Sequence, residues 1–202
     1  MTEKSSRMRG FKIGVQATIS AQLGNDPRMT ETKIILRHIS ASDKNELVSL
    51  MVKSQEFHSP WIQSPNSGPM FEAYLKRIKR SDHEGFAVCR ASDSTLVGVI
   101  NVNNIVRGSL LTASLGYYVG HSFQGEGYMS AGLKSLVQYA FTTMGLHRLE
   151  ANIQSGNVKS INMVKRCGFS FEGVSKKFLF IEGKWRDHER WSIVDSRSNL
   201  RA

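Results

Sequence analysis

Two cysteines in 202 residues, Cys89 and Cys167, each inside an apolar pattern, leave nothing from which to build a disulfide framework. A disulfide-stapled secreted scaffold is thereby excluded, and a cytoplasmic address is expected. No apolar run approaches the roughly eighteen residues that a membrane-crossing helix needs. Met1 to Gly10 is polar, with Lys4, Arg7 and Arg9 but no apolar stretch behind them, which predicts no secretory signal. The six histidines lack metal-ligand spacing, so no metal is expected. Acidic residues are also scarce. Seventeen face 27 basic ones, and the net charge of +10 favours anionic partners, whether phosphate-bearing ligands or RNA. The densest basic cluster, Lys76, Arg77, Lys79 and Arg80, reads equally as a solvated helix face.

What is present is enough for a real core, with 40% hydrophobic residues in a length that fits one domain plus tails. Residues 1–30 lack hydrophobic periodicity and contain Gly24-Asn25-Asp26-Pro27, which predicts a flexible basic arm; residues 31–195 form the expected folded domain and 196–202 a short tail. Within the domain, Lys33 to Ile39 alternates as a strand, Ser42-Asp43 caps a helix, and a second helix runs from about Met70 to Arg80 after a proline-rich loop. Glu84–Ala91, Thr95–Val106 and Thr112–Gly120 are β-branched runs separated by turn residues, which predicts three antiparallel strands. A helix with an apolar stripe follows from Met129 to Met144, then a strand at Leu146–Gln154 and a short helix at Val158–Arg166. Two strands around Glu182-Gly183-Lys184 complete the chain. Seven strands and four helices in this order give an expected α/β class.

The segment His121 to Tyr128 joins a strand to the strongly amphipathic helix. There, backbone N–H groups and the positive end of the helix dipole converge on an anion. Gly125 and Gly127 remove side chains that would keep a phosphate from the backbone, although glycines before a helix also serve tight turns. No Gly-Lys-Ser/Thr follows, and the strands before the loop read as an antiparallel meander, so neither Walker-type nor dinucleotide chemistry is expected.

Gln124-x-x-Gly127 after a strand resembles the acyl-CoA-binding motif of the GNAT acetyltransferase superfamily, with Met129 where that family usually has Gly or Ala. Asn157-Val158-Lys159-Ser160 followed by Cys167-Gly168-Phe169 resembles its second hallmark, in which the Asn and Ser contact CoA. Over residues 33–194 the resemblance narrows to ribosomal-protein N-terminal (alanine) acetyltransferases of the RimJ/RimL type, nearest to RimJ. It is carried by Asn104-Ile105-Val106-Arg107-Gly108, Leu115-Gly116-Tyr117-Tyr118-Val119, His147 to Asn152 and Gly183 to His188. The resemblance implies a GNAT fold, a mixed and mostly antiparallel seven-stranded sheet flanked by about four helices, with acetyl-CoA as co-substrate. It also implies a coenzyme site at Tyr117, Tyr118, Val119, Gln124, Gly125, Glu126, Gly127, Tyr128, Met129, Asn157 and Ser160.

It implies, further, that the strand Leu115–Val119 splays from Leu146–Gln154, with a free N–H at Tyr118 or Val119 as oxyanion hole for direct attack by an amine. Alternation puts Glu150, Asn152 and Gln154 on one face of their strand, which makes Glu150 the candidate base, directly or through water; the same carboxylate reads equally as a partner of Arg148. Ser160 resembles a residue that stabilises the leaving thiolate and could instead cap its helix. The positions where relatives carry an acidic Tyr or a basic Glu look like Val164 and Leu179 here. Trp61, Asn103 and Asn104 are the candidate acceptor-side residues, each also readable as structural.

The missing base suits an α-amine. With a pKa of about 7.7–8.0 it is roughly one-third neutral near pH 7.5, a cost under about 1 kcal/mol against about 4 for lysine. The expected reaction is therefore acetyl transfer to a protein N-terminus; the resemblance implies a ribosomal protein as acceptor, and the basic surface an expected contact with ribosomal RNA. Two alternatives stay open: a small-amine or antibiotic acetyltransferase, and a ribosome- or RNA-binding assembly factor on the same fold.

Overall fold

A computed structural model describes residues 33–197 of the chain. The expected arm, residues 1–30, and the end of the expected tail, residues 198–202, lie outside the described residues. Seven strands form one sheet: β1 (Ile34–His38), β2 (Glu84–Arg90), β3 (Leu96–Val106), β4 (Thr112–Val119), β5 (Arg148–Gln154), β6 (Ser170–Ile181) and β7 (Lys184–Val194). Their order across the sheet is β1-β2-β3-β4-β5-β7-β6, with β4 and β5 parallel and every other neighbour antiparallel.

The helices are α1 (Lys44–Val52), α2 (Gln55–His58), α3 (Gly68–Ile78), α4 (Tyr128–Thr142) and α5 (Val158–Arg166). The one the sequence does not announce is α2, a single turn within the stretch that reads as loop. β2 and β3 are buried on both faces, which is why they read as continuous apolar runs rather than as an alternation. Phe86 and Val88 face the core beneath α4 and α5, whereas Ala87 and Cys89 join Leu47, Met51, Phe71 and Tyr74 beneath α1 and α3. Burying a side chain such as Phe71 or Phe86 completely stabilises the fold by about 1.5–3 kcal/mol. Cys89 and Cys167 are both free and buried.

α4 lies across β1, β2 and β3, and at its closest approach Gly132 leaves no room for a side chain: a Cβ there would stand 3.0 and 3.2 Å from the γ-carbons of Val88. Gly145 ends the helix region with a φ of 65°, a backbone that favours glycine. Among the described residues no helix is long and apolar enough to cross a membrane.

Candidate active site

Strands β4 and β5 run together for four rungs only, Thr112–Arg148, Ala113–Leu149, Ser114–Glu150 and Leu115–Ala151, and then part. From Gly116 and Asn152 onward each strand has lost this neighbour, and backbone groups that would have closed the ladder face an opening. The direction of those groups follows from the β3–β4 register. The Gly120 N–H donates to the Val97 carbonyl at 2.8 Å, so by antiparallel alternation Tyr118 also turns its N–H toward β3, while Val119 turns its own into the gap. Of the Tyr118 and Val119 amides, only that of Val119 turns into the gap.

The outward carbonyl of Val119 is already taken. His58 of α2 places Nε2 at 2.8 Å from it, and its Nδ1 lies 3.1 Å from the Ser64 hydroxyl. Because a carbonyl only accepts, Nε2 carries the proton and Nδ1 accepts from Ser64. Burial pulls the His58 pKa below its usual value, with the Val119 contact acting the other way. The loop beyond α2 is fastened to β5 as well: the Gln154 side-chain amide donates to the carbonyls of Pro60 and Trp61 at 3.2 and 3.3 Å.

Two cavities meet at the parting. One, of about 1050 Å³, runs from Leu115 and Val119 past Gln124, Gly125 and Gly127 to Asn157 and Ser160. The other, of about 1000 Å³, opens on the opposite side among Asn103, Asn104, Glu150 and the Phe178–Glu182 end of β6. His58, Trp61, Leu115, Gly116, Asn152 and His188 line both and form the throat between them.

The first cavity has the makings of a phosphate cradle. Gly125 and Gly127 have φ of 80° and 82°, and a Cβ at either would meet nothing within 4 Å, so glycine is required there by the backbone and the loop surface is open. Among the described residues no acceptor takes the N–H groups of residues 125–130; the first bond of α4 is Ala131 to the Gly127 carbonyl. No acidic residue sits in the first turn of α4 to oppose an anion. Lys159, which the sequence reading did not single out, projects beside the loop with Nζ 2.9 Å from Gln124 Oε1. Six consecutive free amides and a lysine fit a diphosphate.

The expected coenzyme residues divide into two groups. Tyr117, Tyr118, Val119, Gln124, Gly125, Gly127, Met129, Asn157 and Ser160 line the first cavity. The side chains of Glu126 and Tyr128 are not among its lining: the Glu126 carbonyl accepts from Lys33 at 2.7 Å, and Tyr128 packs against Phe123, so these two offer the loop only their backbone. Met129 stands where a smaller residue was expected, and the compensation lies on β3: a Cβ on Gly98 would fall 2.7 Å from the Met129 sulfur. Asn157 caps α5 through Oδ1 to the Ser160 N–H at 3.2 Å, while the Ser160 hydroxyl lies 2.7 Å from that of Tyr117. Burial pushes the Tyr117 phenol well above its usual pKa, with the Ser160 bond working against it, so the pair keeps a proton to donate.

On the acceptor side, Trp61 packs over Gly156 and borders both cavities, and Asn103 and Asn104 flank the irregularity where β3 slips against β4. Glu150 reaches the second cavity from the paired part of β5, 2.8 Å from Arg148 Nε and 3.5 Å from Arg190. Val164 is fully buried and Leu179 lines the acceptor cavity, so neither position holds an acid or a base. His58 and His188 are the throat residues that the sequence did not reveal. Nothing in the local pattern sets apart a histidine after Phe57, and His188 stood only as the last letter of a matching block. Among the described residues no group of three or more His, Cys, Asp and Glu could hold a metal ion.

Known proteins share this arrangement. The family described as "Acetyltransferase (GNAT) domain" matches residues 33–170. The [ribosomal protein uS5]-alanine N-acetyltransferase of Escherichia coli is 30% identical over 169 residues, spanning 80% of this chain and 87% of that enzyme. A spermidine N(1)-acetyltransferase of Vibrio cholerae is 25% identical over 170 residues, 82% of this chain and 95% of the other. The solved structure of Mycobacterium smegmatis RimJ in complex with CoA-disulfide superposes with a TM-score of 0.75 at 24% identity, covering 82% of this chain and 84% of that one. With parted strands, an open loop of free amides and a family match over most of its length, this chain belongs to the GNAT acetyltransferase family and is an acetyl-CoA-dependent N-acetyltransferase.

Proposed function

We propose that this protein acetylates the N-terminal α-amine of a protein, a ribosomal protein being the favoured class, and that it works in the cytoplasm. The observation that carries this reading is the charge make-up of the acceptor cavity. Its two carboxylates are Glu150, engaged by Arg148 and Arg190, and Glu182, which accepts from the Ser59 hydroxyl at 3.2 Å; Arg77 adds a positive charge to the same wall. A polyamine with several positive charges is better served by a wall of uncommitted carboxylates, and the net charge of +10 slows its approach. Asn66, Asn103, Asn104 and Gln63 offer amides suited to a peptide backbone, and Trp61, Phe178 and Phe180 offer apolar surface for its side chains.

Bound in the first cavity, acetyl-CoA supplies an activated acyl carbon and a thiolate leaving group. The free amides of residues 125–130 hold its diphosphate, the Val119 N–H faces the acyl oxygen, and the Tyr117–Ser160 hydroxyl pair donates to the departing sulfur. Glu150, on the wall of the acceptor cavity, receives through water the proton that leaves the amine. The exposed face of α3, with Lys76, Arg77 and Lys79, is proposed to meet an anionic partner such as ribosomal RNA; Arg80 is spent on Asp82.

The test is a competition: peptides beginning Ala, Ser or Met, their α-blocked counterparts carrying an internal lysine, and spermidine, each with acetyl-CoA and read by mass. Acetylation confined to free α-amines is expected, with kcat/KM at least about tenfold above that for spermidine. Equal use of spermidine or of the blocked lysine peptides overturns the reading.

A further inference from the structure

The polar face of β5 carries Glu150, Asn152 and Gln154, and the first and last are occupied, by two arginines and by the carbonyls of Pro60 and Trp61. Asn152 differs. Its Oδ1 is buried and has no hydrogen-bond partner among the described residues. Asn152 is the first side chain of that face beyond the last β4–β5 rung, and it lines both cavities. Leaving a buried amide oxygen without a donor is costly, so its persistence points to a donor arriving from outside.

On the neighbouring strand β7, His188 lies opposite Gln154, one step diagonal from Asn152 on the same face, and is only 2% exposed. Its Nδ1 is 3.0 Å from the Arg186 carbonyl, and since that oxygen can only accept, Nδ1 bears the proton. In the neutral ring the lone pair is then on Nε2, which takes no hydrogen bond from any described residue. The Phe178 ring, 5.8 Å away, packs edge-on against the imidazole and fixes it. The other throat histidine, His58, has both nitrogens engaged and offers no lone pair.

We propose that Asn152 and His188 form the seat of the acceptor amine, Asn152 Oδ1 accepting one N–H and His188 Nε2 acting as the general base. This deepens the reading of the site as an amine acetyltransferase and rests on it. The amine nitrogen forms a bond to the acyl carbon as the C–S bond breaks, and the electron pair leaves on sulfur. One proton passes from nitrogen to His188 Nε2 and on to water, and the thiolate takes up a proton from the Tyr117–Ser160 hydroxyl pair, which water replenishes, so the step balances without another reactant. Asparagine cannot take the proton; it orients the nitrogen so that its lone pair faces the acyl carbon.

The charged and titratable groups around this pair are few. β5 presents Glu150 with its arginines, β7 presents Arg186 and Arg190, β6 contributes the Phe178 ring, and the loop after α2 follows His58. Farther out stand Arg77, His83 and Glu182 at the acceptor mouth, and Lys159 and Arg166 at the coenzyme mouth.

The experiment compares His188→Gln, Asn152→Ala and Glu150→Gln with the wild type on a peptide with a free N-terminus; Glu150→Gln is expected to lower kcat less than His188→Gln does, and the reverse order overturns the assignment of the base. His188→Gln is expected to lower kcat about 100-fold or more, to flatten the acidic limb of the kcat–pH profile, and to leave acetyl-CoA affinity by calorimetry unchanged. Asn152→Ala is expected to raise the peptide KM several-fold, with Asn152→Asp recovering part of it. Independently of turnover, ¹⁵N NMR of the wild-type imidazole should show the Nε2 signal shifted by the free-amine peptide but not by its α-acetylated form. Should His188→Gln fail to fold, this NMR result decides alone. A His188→Gln enzyme with more than half the wild-type kcat, or an Nε2 indifferent to the peptide, overturns the proposal. If wild type prefers spermidine, the reading of the acceptor fails separately, and the same variants assayed with spermidine still test the base.

Discussion

At the residue scale, His58 shows how one buried side chain ties stability to pH. Its imidazole holds the Val119 carbonyl in neutral form, and burial lowers its pKa from the usual value near 6.5. The folded state then binds fewer protons than the unfolded one between the two values, so stability rises with pH through that window. The contribution is complete above about pH 6.5 and is lost as pH falls toward the folded value. Denaturant titrations from pH 8 to pH 5 should show the wild type losing stability more steeply than His58→Gln, whose amide still donates but does not titrate. Superimposable profiles would mean that His58 titrates alike in both states. Nothing in the sequence marks this residue, because its partners lie six and 61 positions away.

At the scale of elements, a loop stands in for part of the pairing lost between β4 and β5. His58 caps the outward Val119 carbonyl, and Gln154 gathers the carbonyls of the loop at Pro60 and Trp61, so a three-way contact replaces the missing rungs. The strands themselves, and the polar face of β5 with Asn152 and Gln154, are legible from alternation; the place where pairing stops is not, since it depends on a loop some 90 residues upstream. The seating of α4 is a second such feature. Gly132→Leu would gain about 0.8 kcal/mol of helix propensity but drive carbon into Val88, and a net loss of about 1–2 kcal/mol is expected in urea unfolding. Adding Val88→Ala should recover part of it; an undiminished loss in the double variant would place the strain elsewhere.

For the molecule as a whole, charge and shape divide the labour. The excess of ten positive charges is a property of the entire surface, whereas the acceptor cavity sets its carboxylates against neighbouring donors. If α3 and its C-cap meet ribosomal RNA, co-sedimentation with ribosomes should weaken steeply between 50 and 200 mM salt, and replacing Lys76 and Lys79 by Gln should reduce the log–log slope by about two while leaving peptide acetylation intact. An unchanged slope in the double variant would remove these two lysines from that contact.

By itself the sequence determined the order of the strands and of the four longer helices, the glycines of the loop at 125 and 127, and with them the family, because hydrophobic period and turn chemistry are local and survive without knowledge of the fold. Tertiary structure alone decided which amide turns into the gap between β4 and β5, that Glu150 stands among arginines, and that Asn152 and His188 both line the throat. Those outcomes depend on register across the sheet and on which hydrogen-bonding groups distant segments leave over, and neither is written in any short stretch of chain.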